Sequence, residues 1–277
     1  RLYLTPPLED LDKAFALLPE EPDFGDLREK DRALFWREQD RVAVDPYGDL
    51  LRTYCTGEAR CGWEFDTDET RDLLALWARW GAERLYLRID YASPRDLTGL
   101  TFQDTAILLD LDSTDEGHKA ITPLVDWDRG ADWQAILHHW FDAEDKSQYD
   151  VEIIDKDGEC ASAFRASGFA NAQYPLFALH GAGDWCGAPG TLMVSLARAP
   201  LGLKGEGKVA VQVCTFKGGI ESHRGLERPR EQPGDEGAFW DVADTFGEEN
   251  VPERVAEKGD TRPVLIGSAA VLTVPAG

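Results

Sequence analysis

The chain has 277 residues, 43% hydrophobic and 10% aromatic, and carries a formal net charge of −23. Such a composition can bury a large core, which excludes global disorder. The charge repels phosphate backbones and anionic lipid, which excludes generic nucleic-acid binding and electrostatic membrane docking, and no apolar run is long enough for a transmembrane segment.

Residues 1–40 are charged, carry Pro19 and Pro22, and repeat Leu8, Leu11, Phe15 and Leu18 at helical spacing. This segment is too short to stand as a domain. It is expected to be an N-terminal extension packed on the rest, or a linker from something upstream. It opens on Arg1-Leu-Tyr-Leu-Thr-Pro-Pro, without a basic stretch followed by an apolar one. A start at Arg rather than Met is expected of a processed or trimmed chain and fits export.

From Arg41 the rhythm becomes that of strands. RVAVDPYGD alternates and then turns at Pro46 and Gly48. ETRDLLALWARW, residues 69–80, has helical periodicity and is expected as a helix. In ERLYLRIDYAS, Leu85, Leu87, Ile89 and Tyr91 fall on one face, which predicts a half-buried strand. TAILLDLDS, DWQAILHHWF and YDVEIIDKDGE are apolar segments, and TLMVSLARAPLGL and KVAVQVCTFKGG add two strands. Residues 221–260 are charged, rich in Pro and Gly and poor in apolar residues apart from AFWDVADTF, which predicts a long surface excursion. RPVLIGSAAVLTV closes as a final strand. Strands without regular alternation with helices predict a mainly β fold, an antiparallel β-sandwich over residues 41–277 with short helices and the N-terminal extension.

Acidic turns after strands are the most consistent chemical feature. Asp110, Asp112 and Asp115 lie in LLDLDSTDEG, Asp155 and Asp157 in IIDKDGE, and Asp45 and Asp49 bracket DPYGD. Carboxylates at alternate positions on a Gly-containing turn can aim several oxygens inward, which is the ligand set of calcium. The same residues are also the ordinary ones of exposed turns, and neither longer loop completes an EF-hand pattern. Nine tryptophans are present. Trp77, Trp80 and Trp140 sit in apolar patterns and read as core. Trp127, Trp133, Trp185 and Trp240 sit among Asp and Gly in expected loops, the combination in which a ring covers a sugar's apolar face and carboxylates take its hydroxyls. Loop tryptophans that plug the ends of a sandwich have the same surroundings.

Five cysteines are present, and none has a zinc or haem-attachment spacing. Cys55 and Cys61, flanked by Gly57 and Gly62, suit a small disulfide loop, and Cys160 with Cys186 suits a second bridge. Cys214 lies in an apolar run and reads as a buried thiol. His138 and His139 are adjacent and so cannot easily share one ion. There is no GxSxG, HExxH or Walker loop, so no catalytic motif stands out.

In chain order, DPYGD, RLYLRIDY, TAILLDLDS, the GADW segment, TLMVSLARAPLGL and KVAVQVCTF resemble the family 9 carbohydrate-binding-module-like and DOMON-like β-sandwiches. That group includes the C-terminal module of glucodextranase-type enzymes. The resemblance covers about residues 41–220. It implies a secreted, periplasmic or cell-surface module without catalysis, often calcium-stabilised and often attached to glycoside hydrolases or surface proteins. Asp45 and Asp49 match its DPxGD turn, Asp110 its strand-end acid, and Ala199 to Leu203 its late xPLxxLGL tail. The expected function is therefore glycan recognition, with calcium as cofactor and a glycan or an envelope protein as partner. Two alternatives are a structural component of a surface-layer-type envelope assembly and a haem b-binding electron-transfer subunit. The resemblance offers Met193 as an axial ligand for the latter.

Overall fold

A computed structural model describes residues 21–22, 35–45, 51–56, 60–65, 72–91, 104–112, 120–122, 125–127, 135–141, 147–155, 159–171, 190–217, 241–245, 264–266 and 269–276. Those residues are mostly strand. The one helical piece among them is a short 3-10 turn, Glu38–Asp40, closed by the Arg37 N–H donating to Asp40 Oδ2 at 2.8 Å. In chain order the strands are Arg41–Val44 (β1), Leu51–Thr56 (β2), Arg60–Phe65 (β3), Leu73–Trp80 (β4), Arg84–Tyr91 (β5) and Asp104–Asp110 (β6). Next come Ala120–Thr122 (β7), Val125–Trp127 (β8), Ala135–Phe141 (β9), Ser147–Ile154 (β10), Cys160–Arg165 (β11) and Ser167–Asn171 (β12). Gly190–Ala197 (β13), Gly207–Lys217 (β14), Asp241–Thr245 (β15), Val264–Ile266 (β16) and Ala270–Val274 (β17) complete them.

Two large antiparallel sheets carry the architecture. One has five strands in the order β1-β4-β5-β13-β12, the other seven, in the order β11-β10-β9-β6-β14-β15 with β17 also on β14. A small sheet, β16-β8-β7, contains a parallel pair, β16 with β8. The hairpin β2–β3 forms a sheet of its own. Residues of both large sheets belong to one apolar cluster: Leu76, Leu87, Ile89 and Val194 from the first, Ile107, Leu109, Val151, Val211 and Val213 from the second. Each such side chain contributes about 1.5–3 kcal/mol by leaving water. Tyr91 and Thr105 share a hydrogen bond of 2.7 Å between their hydroxyls, tying the end of β5 to the start of β6.

The helix expected over residues 69–80 is strand β4 instead. Its inward residues are Leu73, Leu76, Ala78 and Trp80, opposite Tyr91, Ile89, Leu87 and Leu85 of β5. The register slips between Leu73 and Ala75, and this bulge turns a period of two into a single step of three. Spacing of three beside Leu, Ala and Arg, all good helix formers, imitates a helix; pairing with β1 and β5 on the two sides overrides that propensity.

The half-buried strand expected at β5 is buried on both faces. Leu85, Leu87, Ile89 and Tyr91 enter the core, and Tyr86, Arg88 and Asp90 on the other face are covered as well. Strands β6 and β14 are likewise buried on both faces, with Ala106, Leu108, Gln212 and Cys214 closed off opposite the core. Within the stretch expected as a surface excursion, Asp241–Thr245 forms β15 and pairs with β14. The helical pattern at Leu8 to Leu18 lies outside the described residues.

The tail of β13 shows why its Pro and Gly are needed. The Gly202 N–H donates to the Ala199 carbonyl at 3.0 Å and the Leu203 N–H to the Arg198 carbonyl at 3.1 Å. Pro200 presets the turn, Gly202 takes φ +74, and Leu201 is buried in the core.

Candidate functional site

Alternation along β5 places Tyr86, Arg88 and Asp90 on the face of the five-stranded sheet away from the core. The register sets Trp77 and Met193 beside Arg88, Ala75 and Thr191 beside Asp90, and Arg79 and Ser195 beside Tyr86. Three short rows thus cross β4, β5 and β13, and they gather most of the sheet's chemically active side chains.

Asp90 is the hub. Its Oδ1 accepts Arg88 Nε at 2.7 Å and Thr191 Oγ1 at 3.2 Å, and its Oδ2 accepts Arg88 Nη2 at 3.0 Å and Trp77 Nε1 at 2.8 Å. Asp90 is 8% exposed and Arg88 9%, so this is a buried, two-pronged ion pair with its remaining acceptor capacity used. The Arg88 guanidinium stands 4.8 Å from the Trp77 ring centre and Arg41 stands 5.8 Å from it. Trp77 is half-buried, while Arg41 and its ion-pair partner Glu38 are exposed.

Residues before β1 cover part of this face. Phe35 and Trp36 are buried in a cluster with Tyr86 and Met193, with Trp77 against it. Phe35 meets Trp36 edge-on at 5.2 Å and Tyr86 at 4.8 Å. Arg79 lies 4.7 Å over the Phe35 ring and donates to the Phe35 carbonyl at 2.9 Å. The Trp36 indole N–H donates to Met193 Sδ at 3.5 Å. The Tyr86 hydroxyl donates to Glu21 Oε2 at 3.3 Å and the Ala82 N–H donates to Glu21 Oε1. Gly81 makes room for that carboxylate, since a Cβ there would collide with it.

Those carboxylates expected to bind metal that are described, Asp45, Asp110, Asp112 and Asp155, divide between two ends of the sheets. Asp45 follows β1 and donates its N–H to the Leu74 carbonyl, near the end of β5 that meets Thr105. Asp110 lies at the far end of β6, roughly 17 Å along the strand from Thr105. Asp155 leaves β10 at that same end, because Leu109, Ala135 and Ile153 form one row across β6, β9 and β10. Asp110 is 2% exposed, and its Oδ1 accepts the Asp112 N–H at 3.2 Å. Asp155 is exposed, and its Oδ1 accepts the Glu159 N–H at 3.0 Å. In both turns a carboxylate caps its own backbone, the usual local work of Asp. Among the described residues no three of His, Cys, Asp and Glu form a metal-binding group.

Asp49, Asp115, Asp157, Trp133, Trp185, Trp240 and Cys186 lie outside the described residues. Trp127 ends β8, in register with Ile266 of β16. Cys55 and Cys61 are register partners across β2 and β3. Cys160 opens β11, exposed, its thiol donating to the Ser162 carbonyl at 3.3 Å. The sequence pattern reads Trp77 as core, whereas it lies half-buried on the opposite face, and the pattern singles out neither Arg88 nor Asp90. Their signal was available, since Arg88 and Asp90 stand two apart in an alternating strand and therefore share a face.

Among the described residues no helix is long and apolar enough to cross a membrane. No protein-family profile matches the chain, and no curated protein matches it in sequence.

Proposed function

We propose that this chain is a non-catalytic, exported binding module of β-sandwich type that recognises a glycan. The observation that carries the reading is Trp77. Its indole is half-buried, fixed by its hydrogen bond to Asp90, and flanked by the exposed Arg41, which pairs with Glu38. A rigid ring beside charged hydrogen-bonding groups is the chemistry that takes the apolar face and the hydroxyls of a sugar. Trp127, Trp133, Trp185 and Trp240 remain proposed ligand contacts, and calcium at the acidic turns remains a proposed stabiliser. The resemblance to family 9 carbohydrate-binding modules supports both.

The test is a glycan panel probed with the wild type, Trp77→Ala and Arg41→Ala, alongside thermal unfolding in calcium and in EGTA. Retention of one glycan class by the wild type, weakened at least about tenfold in both variants, is expected for a site that stacks on Trp77. Absence of any retained glycan overturns the reading. A lower melting temperature in EGTA is the outcome expected of calcium at the turns.

An envelope-assembly role is the second reading, favoured by β1. Among the described strands it lies at an edge of its sheet, and its Val42 and Val44 are 37% and 65% exposed. An edge with apolar side chains invites a strand from another chain. Val44→Lys is expected to abolish self-association measured by light scattering if this reading holds. The haem reading gains no support from Met193, whose sulfur accepts the Trp36 N–H inside an aromatic cluster.

A further inference from the structure

The hairpin β2–β3 belongs to neither large sheet, lies beside β15, and pairs Cys55 with Cys61 directly across its two strands. We infer that Cys55 and Cys61 form a cross-strand disulfide that closes this hairpin. Directly opposed residues of an antiparallel pair have Cα atoms about 4.5–5.5 Å apart and share a face of the pleat. That separation lies inside the roughly 4.4–6.8 Å range that a disulfide spans. A hairpin of two strands is marginal in water without further support, so a covalent tie has work to do here.

Topology also disfavours pairing of either cysteine with Cys160. Cys160 opens β11, at the edge of the seven-stranded sheet opposite β15. Five inter-strand spacings separate those edges, roughly 24 Å. Cys214 is inside the same sheet, fully buried on β14 between Ala106 of β6 and Thr245 of β15.

The step requires a disulfide oxidant, supplied by a low-molecular-weight disulfide such as glutathione disulfide or by a disulfide-exchange protein. One cysteine thiolate attacks the oxidant and releases a thiol as a mixed disulfide forms. The second cysteine thiolate then attacks the mixed disulfide and releases the other thiol. The two cysteines lose two electrons and two protons, and the oxidant gains them.

Tryptic mapping of the folded full chain decides the matter. The protein is equilibrated with glutathione disulfide, blocked with iodoacetamide under denaturant and digested without reductant. Cleavage after Arg52, Arg60 and Arg71 separates Cys55, in peptide 53–60, from Cys61, in peptide 61–71. The expected species is these two peptides joined, lighter than their sum by two hydrogens and resolved into the two by reductant. Cys55→Ser is expected to abolish the joined species and leave peptide 61–71 alone, with Cys61 either glutathionylated or alkylated. Recovery of both wild-type peptides singly alkylated overturns the inference, as does finding Cys55 joined to Cys160, Cys186 or Cys214.

Discussion

Along β5 and β13 the two faces of the five-stranded sheet are both buried, yet they are held by different physics. Its inner face presents Leu76, Leu87, Ile89 and Val194 to the shared core, where attraction is non-directional and any apolar group of similar volume serves. Its outer face presents Arg88, Asp90, Trp77 and Thr191, where four hydrogen bonds converge on one carboxylate at fixed angles. Burial alone therefore says little about tolerance. The inner face responds to lost volume, the outer face to lost pairing.

The largest expected effect breaks the outer face. Asp90→Ala leaves the Arg88 guanidinium buried without its anion and is expected to lower unfolding stability by about 3–5 kcal/mol, measured by urea denaturation. Adding Arg88→Met to Asp90→Ala is expected to recover much of that loss, since removing both charges relieves what removing one creates. A double variant no more stable than the single would show that the ion pair is not what holds this face. On the inner face, Leu87→Ala is expected to cost about 2–5 kcal/mol through its cavity, and Leu87→Met less than about 1.5 kcal/mol. Equal losses from those two variants would deny the core its tolerance and blur the contrast. The smallest effect serves as control. Glu38→Gln removes an exposed ion pair with Arg41, and its expected cost is below about 0.5 kcal/mol by the same denaturation curves, against the buried pair of like chemistry.

How much of this was legible depends on whether neighbours in sequence or neighbours in space decide. The inward faces of β5, β6 and β14 follow from alternation, a local property of the chain, and the sequence patterns at Leu85 to Tyr91 and at Val209 to Val213 show it plainly. β4 defeated the same reasoning because one bulge shifts its inward positions onto helical spacing. The burial of Arg88 and Asp90 was illegible for a different reason. Phe35 and Trp36, which pack on Tyr86 and Met193 of that face and against Trp77, come from far upstream, and nothing local to RLYLRIDY announces them. Among the candidate acids, the turn geometry of Asp110 and Asp155 was readable, whereas their separation from Asp45 is set by the tie between Tyr91 and Thr105. Cys55 and Cys61 were recognisable as a pair by spacing, and only their register makes them opposite neighbours.

Strand β14 also governs the order in which the molecule can be made. It carries β6 along one side and β17 and β15 along the other, and its Ala210 pairs with Asp110, a long reach back along the chain. While a nascent chain has not yet emerged past Lys217, β6 lacks this neighbour and keeps an open edge. Loop-closure entropy must be met before such distant pairing is rewarded, whereas β4 and β5 can join across a short turn as soon as they leave the ribosome. The seven-stranded sheet is therefore the slow half of the fold, and its unfinished edge at Ile107 to Leu109 is the surface a chaperone would need to shield during synthesis.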